Sequence, residues 1–190
     1  MLVEELEKML KTKELSTIYL LYGEEQFLLE NCLKKIKANF GDILDGINYI
    51  KLDNTNIDKL ISNIEVPAFG YEKKLIIIKN SGIFKKDVKK KENPYILLQK
   101  QISDYLQENF DNIKDSTIIV FVEDDVNNVE LYKTIEKYGI ICNFERLKQS
   151  QIIKRLKAIC MAYKVDVDES TLMYLTETSR NRYAKFNKWN

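Results

Sequence analysis

The side chains able to do chemistry fall into four groups, and no histidine is among them. That absence removes the commonest general base, the commonest zinc ligand and every histidine-activated nucleophile. Glu123, Asp124 and Asp125 follow an apolar run and resemble the acidic strand end that holds magnesium beside a nucleotide; equally, acidic residues commonly end a strand and open the next helix. Gly23-Glu24-Glu25 stands after another apolar run, where a phosphate-binding loop would lie. A P-loop needs G-x-x-x-x-G-K-[ST], and this stretch offers one glycine, two carboxylates and no lysine before Lys34. Lys85, Lys86, Lys89, Lys90 and Lys91 form a basic stretch. Lysines of this kind can replace counterions on DNA, but no aromatic residue interleaves with them to stack on a base, so a solvated loop is the competing reading.

The fourth group is apolar. Val66, Pro67, Ala68, Phe69, Gly70 and Tyr71 join a helical pattern to a strand pattern. Two aromatics beside a proline and a glycine can present an anchor to a partner protein. The alternative is a plain turn whose Phe69 folds back into the core.

The elements that must position these groups are legible from hydropathy. Strand-like runs cover Thr17 to Tyr22, Asn48 to Leu52, Lys74 to Asn80, Thr117 to Val122 and Ile140 to Phe144. Helical spacing separates them: Leu2 to Leu10; a helix opened by Glu24 and Glu25 whose core side carries Phe27, Leu28, Leu33 and Ile36; Ile57 to Ile64, stopped by Pro67; Ile96 to Phe110; and a short helix around Leu131 and Ile135. Residues Ser81 to Asn93 read as a loop. Strands apolar on both faces and alternating with helices predict an α/β domain with a mostly parallel, helix-covered sheet. From Gln149 two helical segments replace the strands, which predicts a boundary near Arg146 and two parts, residues 1–146 and 147–190.

The composition fits this reading. Hydrophobic residues make up 45% and charged residues 31% of the 190 positions, and 30 basic side chains oppose 29 acidic ones. Such a chain buries a real core, and no global charge draws it to nucleic acid or membrane. The apolar runs are too short to cross a bilayer and the first residues lack a secretory pattern, so a cytoplasmic location is expected. Cys32, Cys142 and Cys160, odd in number and widely spaced, are expected to be reduced, buried packing residues.

Three stretches taken together, YLLYGEEQFLLEN (Tyr19 to Asn31), VPAFGYEKKLIIIKNSG (Val66 to Gly82) and STIIVFVED (Ser116 to Asp124), resemble the bacterial DNA polymerase III delta subunit family in content and order. The resemblance runs from about residue 15 to 165, and its most specific part is Pro67, Phe69 and Gly70 followed by Lys74-Leu75 and Lys79-Asn80. It implies an AAA+-like fold that has lost its nucleotide site, followed by the start of a small helical lid domain. It implies no catalysis and no cofactor. The implied partners are the DNA sliding clamp, entered by an apolar tip that falls on Ala68 and Phe69 with Val66, Pro67 and Gly70 beside it, and the other clamp-loader subunits. Those subunits would be met through a collar domain expected to be missing from a truncated chain. The family usually has a larger apolar residue where Ala68 stands, which leaves Phe69 as the main anchor.

Overall fold

The fold was taken from a computed structural model that describes residues 1–86 and 95–186, with side chains to residue 178. The chain divides into two compact units, Met1–Glu145 and Arg146–Asn190. The first begins with helix α1 (Val3–Lys11), strand β1 (Ile18–Tyr22), helix α2 (Gln26–Phe40) and strand β2 (Tyr49–Leu52). A single 3-10 turn (Ile57–Lys59) then leads into α3 (Leu60–Glu65) and β3 (Lys74–Lys79). Next come α4 (Ile96–Glu108), α5 (Phe110–Ser116), β4 (Thr117–Glu123), α6 (Glu130–Tyr138) and β5 (Ile140–Asn143).

The five strands form one parallel sheet in the order β2-β3-β4-β1-β5. Parallel neighbours require a crossover between consecutive strands, and helices supply each one. The inner strands are therefore covered on both faces, which explains their unbroken apolar runs: every residue of β4 is buried. The edge strands β2 and β5 are four residues long and only partly buried. The result is an α/β, AAA+-like arrangement.

Burial corrects several expectations. Phe27, placed on the core side of its helix by spacing, is 74% exposed. The stripe that α2 buries is Leu28, Leu29, Cys32, Leu33 and Ile36, and Phe27 precedes it by one residue, about 100° around the helix. The stretch Ser81 to Asn93 has no helix or strand where it is described, as expected of a loop, but its start is packed: Ser81, Ile83 and Phe84 are buried, and the Phe84 ring meets Phe121 edge-on at 5.3 Å. The helix expected over Ile96 to Phe110 is α4, and it is followed by α5, a helix that spacing did not reveal. The Asn109 amide side chain bonds Tyr105 O at 3.0 Å and its own carbonyl starts α5, so the chain breaks and restarts there. Cys32 and Cys142 are buried, whereas Cys160 is only half-buried.

The second unit pairs α7 (Gln149–Ala162) with α8 (Glu169–Phe186). Among the described residues Ile153, Leu172 and Thr176 of this unit are buried. Asp168 precedes α8 and accepts hydrogen bonds from the Thr171 amide (2.8 Å) and hydroxyl (2.7 Å) and from Ser170 Oγ, which hold its carboxyl well below the usual carboxylate range. Among the described residues no helix is long and apolar enough to cross a membrane.

Candidate functional site

The tip between α3 and β3 is built by a stop, a turn and a restart. Burial of Ile57, Leu60 and Ile64 holds the helical turns in place, while Pro67 pushes the residue before it out of the helical region. Val66 is accordingly extended (φ −69°, ψ 123°), with its N–H still bonded to Ser62 O at 3.2 Å. Five residues later the Tyr71 N–H donates to Ala68 O at 3.0 Å, closing a turn with Phe69 second and Gly70 third. Gly70 has φ +80°, the positive value this place in a type II turn demands, and open space where a Cβ would sit. Phe69 is thereby pointed into solvent at 90% exposure, flanked by Val66 at 61%, with Pro67 and Gly70 exposed and Ala68 half-buried. The folded-back alternative for Phe69 is excluded by that exposure.

The base of the tip is fastened by a residue that belongs to the sequence resemblance but to which the sequence reading gives no role. Lys74 opens β3 and is 3% exposed, and its ammonium donates to the carbonyls of Asn63 and Val66 at the end of α3. Burial lowers its pKa from the ordinary lysine value. The one signal in the sequence is a lysine opening the otherwise apolar run Lys74 to Ile78.

The acidic group is drawn into structure instead of converging on a cation. Glu123, the last residue of β4, is 4% exposed and accepts hydrogen bonds from the Ser81 N–H at 3.0 Å, the Ser81 hydroxyl and the Gly82 N–H at 3.4 Å. Burial pushes its carboxyl above the ordinary 4.5, against the pull of those donors. Asp124 and Asp125 are exposed; Asp124 meets Gln26 Nε2 at 3.5 Å and Asp125 accepts from the Val126 N–H at 2.9 Å. Among the described residues no trio of His, Cys, Asp or Glu side chains is gathered for a metal.

The turn after β1 is closed by protein. Gly23 has φ +127°, and a Cβ there would lie 2.5 Å from Phe144 O and 2.8 Å from Asn143 Oδ1. The Glu25 N–H, which a phosphate would need, donates to Phe144 O at 2.9 Å, and the Phe144 N–H donates to Tyr22 O at 2.7 Å. Of the basic stretch, Lys85 and Lys86 are exposed, and Lys89, Lys90 and Lys91 lie outside the described residues. Backbone at Ile83 and Lys85 is tied to Gln99 Nε2, so the described start of that stretch is anchored.

A parallel five-stranded sheet, a first turn closed by protein and a protruding apolar tip define an α/β protein of AAA+-like fold. The family described as DNA polymerase III, delta subunit matches residues 19–145, and the chain belongs to that family. It is 24% identical over 168 residues to the probable DNA polymerase III subunit delta of Aquifex aeolicus (strain VF5), an alignment covering 84% of this chain and 44% of that protein. In fold it is similar to the Bacillus subtilis DNA clamp loader delta protein, with a TM-score of 0.69 at 20% identity, covering 91% of this chain and 51% of that one. The chain thus spans about half the length of these relatives.

Proposed function

We propose that this chain binds a DNA sliding clamp ring through the Val66–Gly70 tip and serves its opening during clamp loading, without hydrolysing nucleotide itself. The observation that carries this reading is Phe69, a large apolar side chain 90% exposed at the apex of a turn whose shape depends on Gly70. A lone exposed apolar residue means little; one set on a built turn, just after an exposed valine and proline, in a chain of this family, is an anchor awaiting a pocket. Phe69 fills an apolar pocket on the clamp, Val66 and Pro67 cover its rim, and the small Ala68 adds little. The rest of the first unit then holds the clamp interface in its open shape. ATP binding is assigned to other subunits of the loader, because the turn after β1 spends its Glu25 N–H on Phe144 O.

The test is Phe69→Ala, with clamp affinity measured by surface plasmon resonance and stability by thermal melting. Burying a phenylalanine side chain is worth roughly 1.5–3 kcal/mol and central hot spots about 2–4 kcal/mol, so affinity falls on the order of 30-fold to 1,000-fold. The melt stays cooperative and close to wild type, because the removed side chain packs against solvent. Unchanged affinity in the folded variant would remove Phe69 as the anchor.

A further inference from the structure

We infer that Lys74 is a positioning residue for Phe69: its buried ammonium fastens the end of α3 to the start of β3 and so holds the tip in its presenting shape. Taking an ammonium out of water costs several kcal/mol unless the charge is hydrogen-bonded in place. Among the described residues Lys74 forms no ion pair. Its two acceptors are the carbonyls of Asn63 and Val66, one in the last turn of α3 and one just past it. These groups are left without helical partners where a helix stops, and they carry the negative end of its dipole, so a cation there is favourably placed.

The location gives the contact its consequence. Val66 is where the chain leaves the helix and Lys74 is where it enters the sheet, so one side chain joins the two ends of the excursion that carries Phe69. The sheet holds the other side of the joint: Lys74 lies opposite Thr117 in the β3–β4 register, and the Leu75 N–H donates to Asn48 O at 2.8 Å. An apolar residue opening β3 would pack well but leave both carbonyls without their donor. A tip tethered at both ends loses little conformational freedom when it docks, which is the general origin of affinity from preorganisation.

The affinity part of this inference rests on the clamp-binding reading, and the experiment separates the two. In Lys74→Met the donors are lost and the length is kept. Amide hydrogen exchange at Val66 and Tyr71 is expected to accelerate on the order of tenfold, while Ile76 and Ile77 in β3 keep their protection. Clamp affinity falls by about tenfold, and Lys74→Arg, which keeps a cationic donor, restores both readouts. Unchanged exchange at Val66 and Tyr71, or equal loss of protection at the tip and in β3, overturns the inference. Faster tip exchange with unchanged clamp affinity, in a background where Phe69→Ala does weaken binding, overturns it as well. If neither variant affects binding, the clamp-binding reading falls and takes the affinity part of this inference with it. Should Lys74→Met fail to fold, the wild type decides: its Lys74 ammonium protons must exchange with water more slowly than those of the exposed Lys34 in a nitrogen-detected NMR experiment, and equal rates overturn the assignment.

Discussion

Two glycine turns at opposite ends of the same parallel sheet have opposite fates. Gly23 follows β1 and Gly70 precedes β3, so they lie beyond the carboxyl and amino ends of the strands respectively. Both have positive φ. At Gly23 the missing side chain lets the backbone of Phe144 approach, and the turn becomes a sealed joint between β1 and the chain after β5. At Gly70 nothing approaches, and the same conformational freedom serves only to aim Phe69 outward. A glycine in an α/β turn therefore says that the chain reverses tightly, while its surroundings decide whether the turn closes a site or displays one.

The contrast can be broken most severely at the sealed turn. Gly23→Val puts a branched side chain into the space held by Phe144 O at a backbone angle that side chains rarely adopt, and should cost about 4 kcal/mol or more of stability. Urea unfolding would show this as a large fall in midpoint, or as failure to fold. Gly70→Ala should cost only about 1 kcal/mol, the strain of a left-handed residue with open space around it. Its clamp affinity should fall less than that of Phe69→Ala, because the anchor is kept and only its aim is strained. Equal losses of stability at the two glycines would mean that the tip is as tightly packed as the seal.

A smaller effect, read as a pH dependence, tests the acidic strand end. Glu123 has its folded pKa raised by burial, so the folded state binds the proton more tightly than the unfolded chain does. Its contribution is complete below the unfolded value and is lost as pH rises through the raised folded value. Glu123→Gln keeps an acceptor for the Ser81 N–H and removes the charge, so the variant's stability relative to wild type should increase across that rise. Urea midpoints from about pH 4 to about pH 8 check it, and parallel curves for the two proteins would show that Glu123 does not titrate in this way.

Much of the fold was legible because a parallel sheet buries its inner strands on both faces. Apolar runs such as Leu75 to Ile78 and Ile118 to Val122 can then only be inner strands, and the helical spacing between them can only be crossovers. Pro67 and Gly70 likewise announced a stop and a turn, since both act through their own backbone. Three features were not legible. Spacing puts Phe27 on the buried side of α2, yet the buried stripe starts one residue later, because the sheet and not the helix period chooses which face turns inward. Lys74 read as an ordinary strand opening, although its worth depends on carbonyls 8 and 11 residues away. Glu123 read as the acidic end of a strand, and its donors stand 41 and 42 residues earlier in the chain.

By itself, then, the sequence determined what each backbone segment could do: where strands and helices form, that a phosphate-binding loop is missing, and that an aromatic stands at a turn between a helix and a strand. Only the tertiary structure decided what those groups meet. It sealed the Gly23 turn with Phe144, buried Glu123 against Ser81 and Lys74 against the end of α3, and left Phe69 in solvent. Propensity and periodicity are local properties written in neighbouring residues, whereas burial and hydrogen-bond partnership depend on segments brought together from afar by the sheet order.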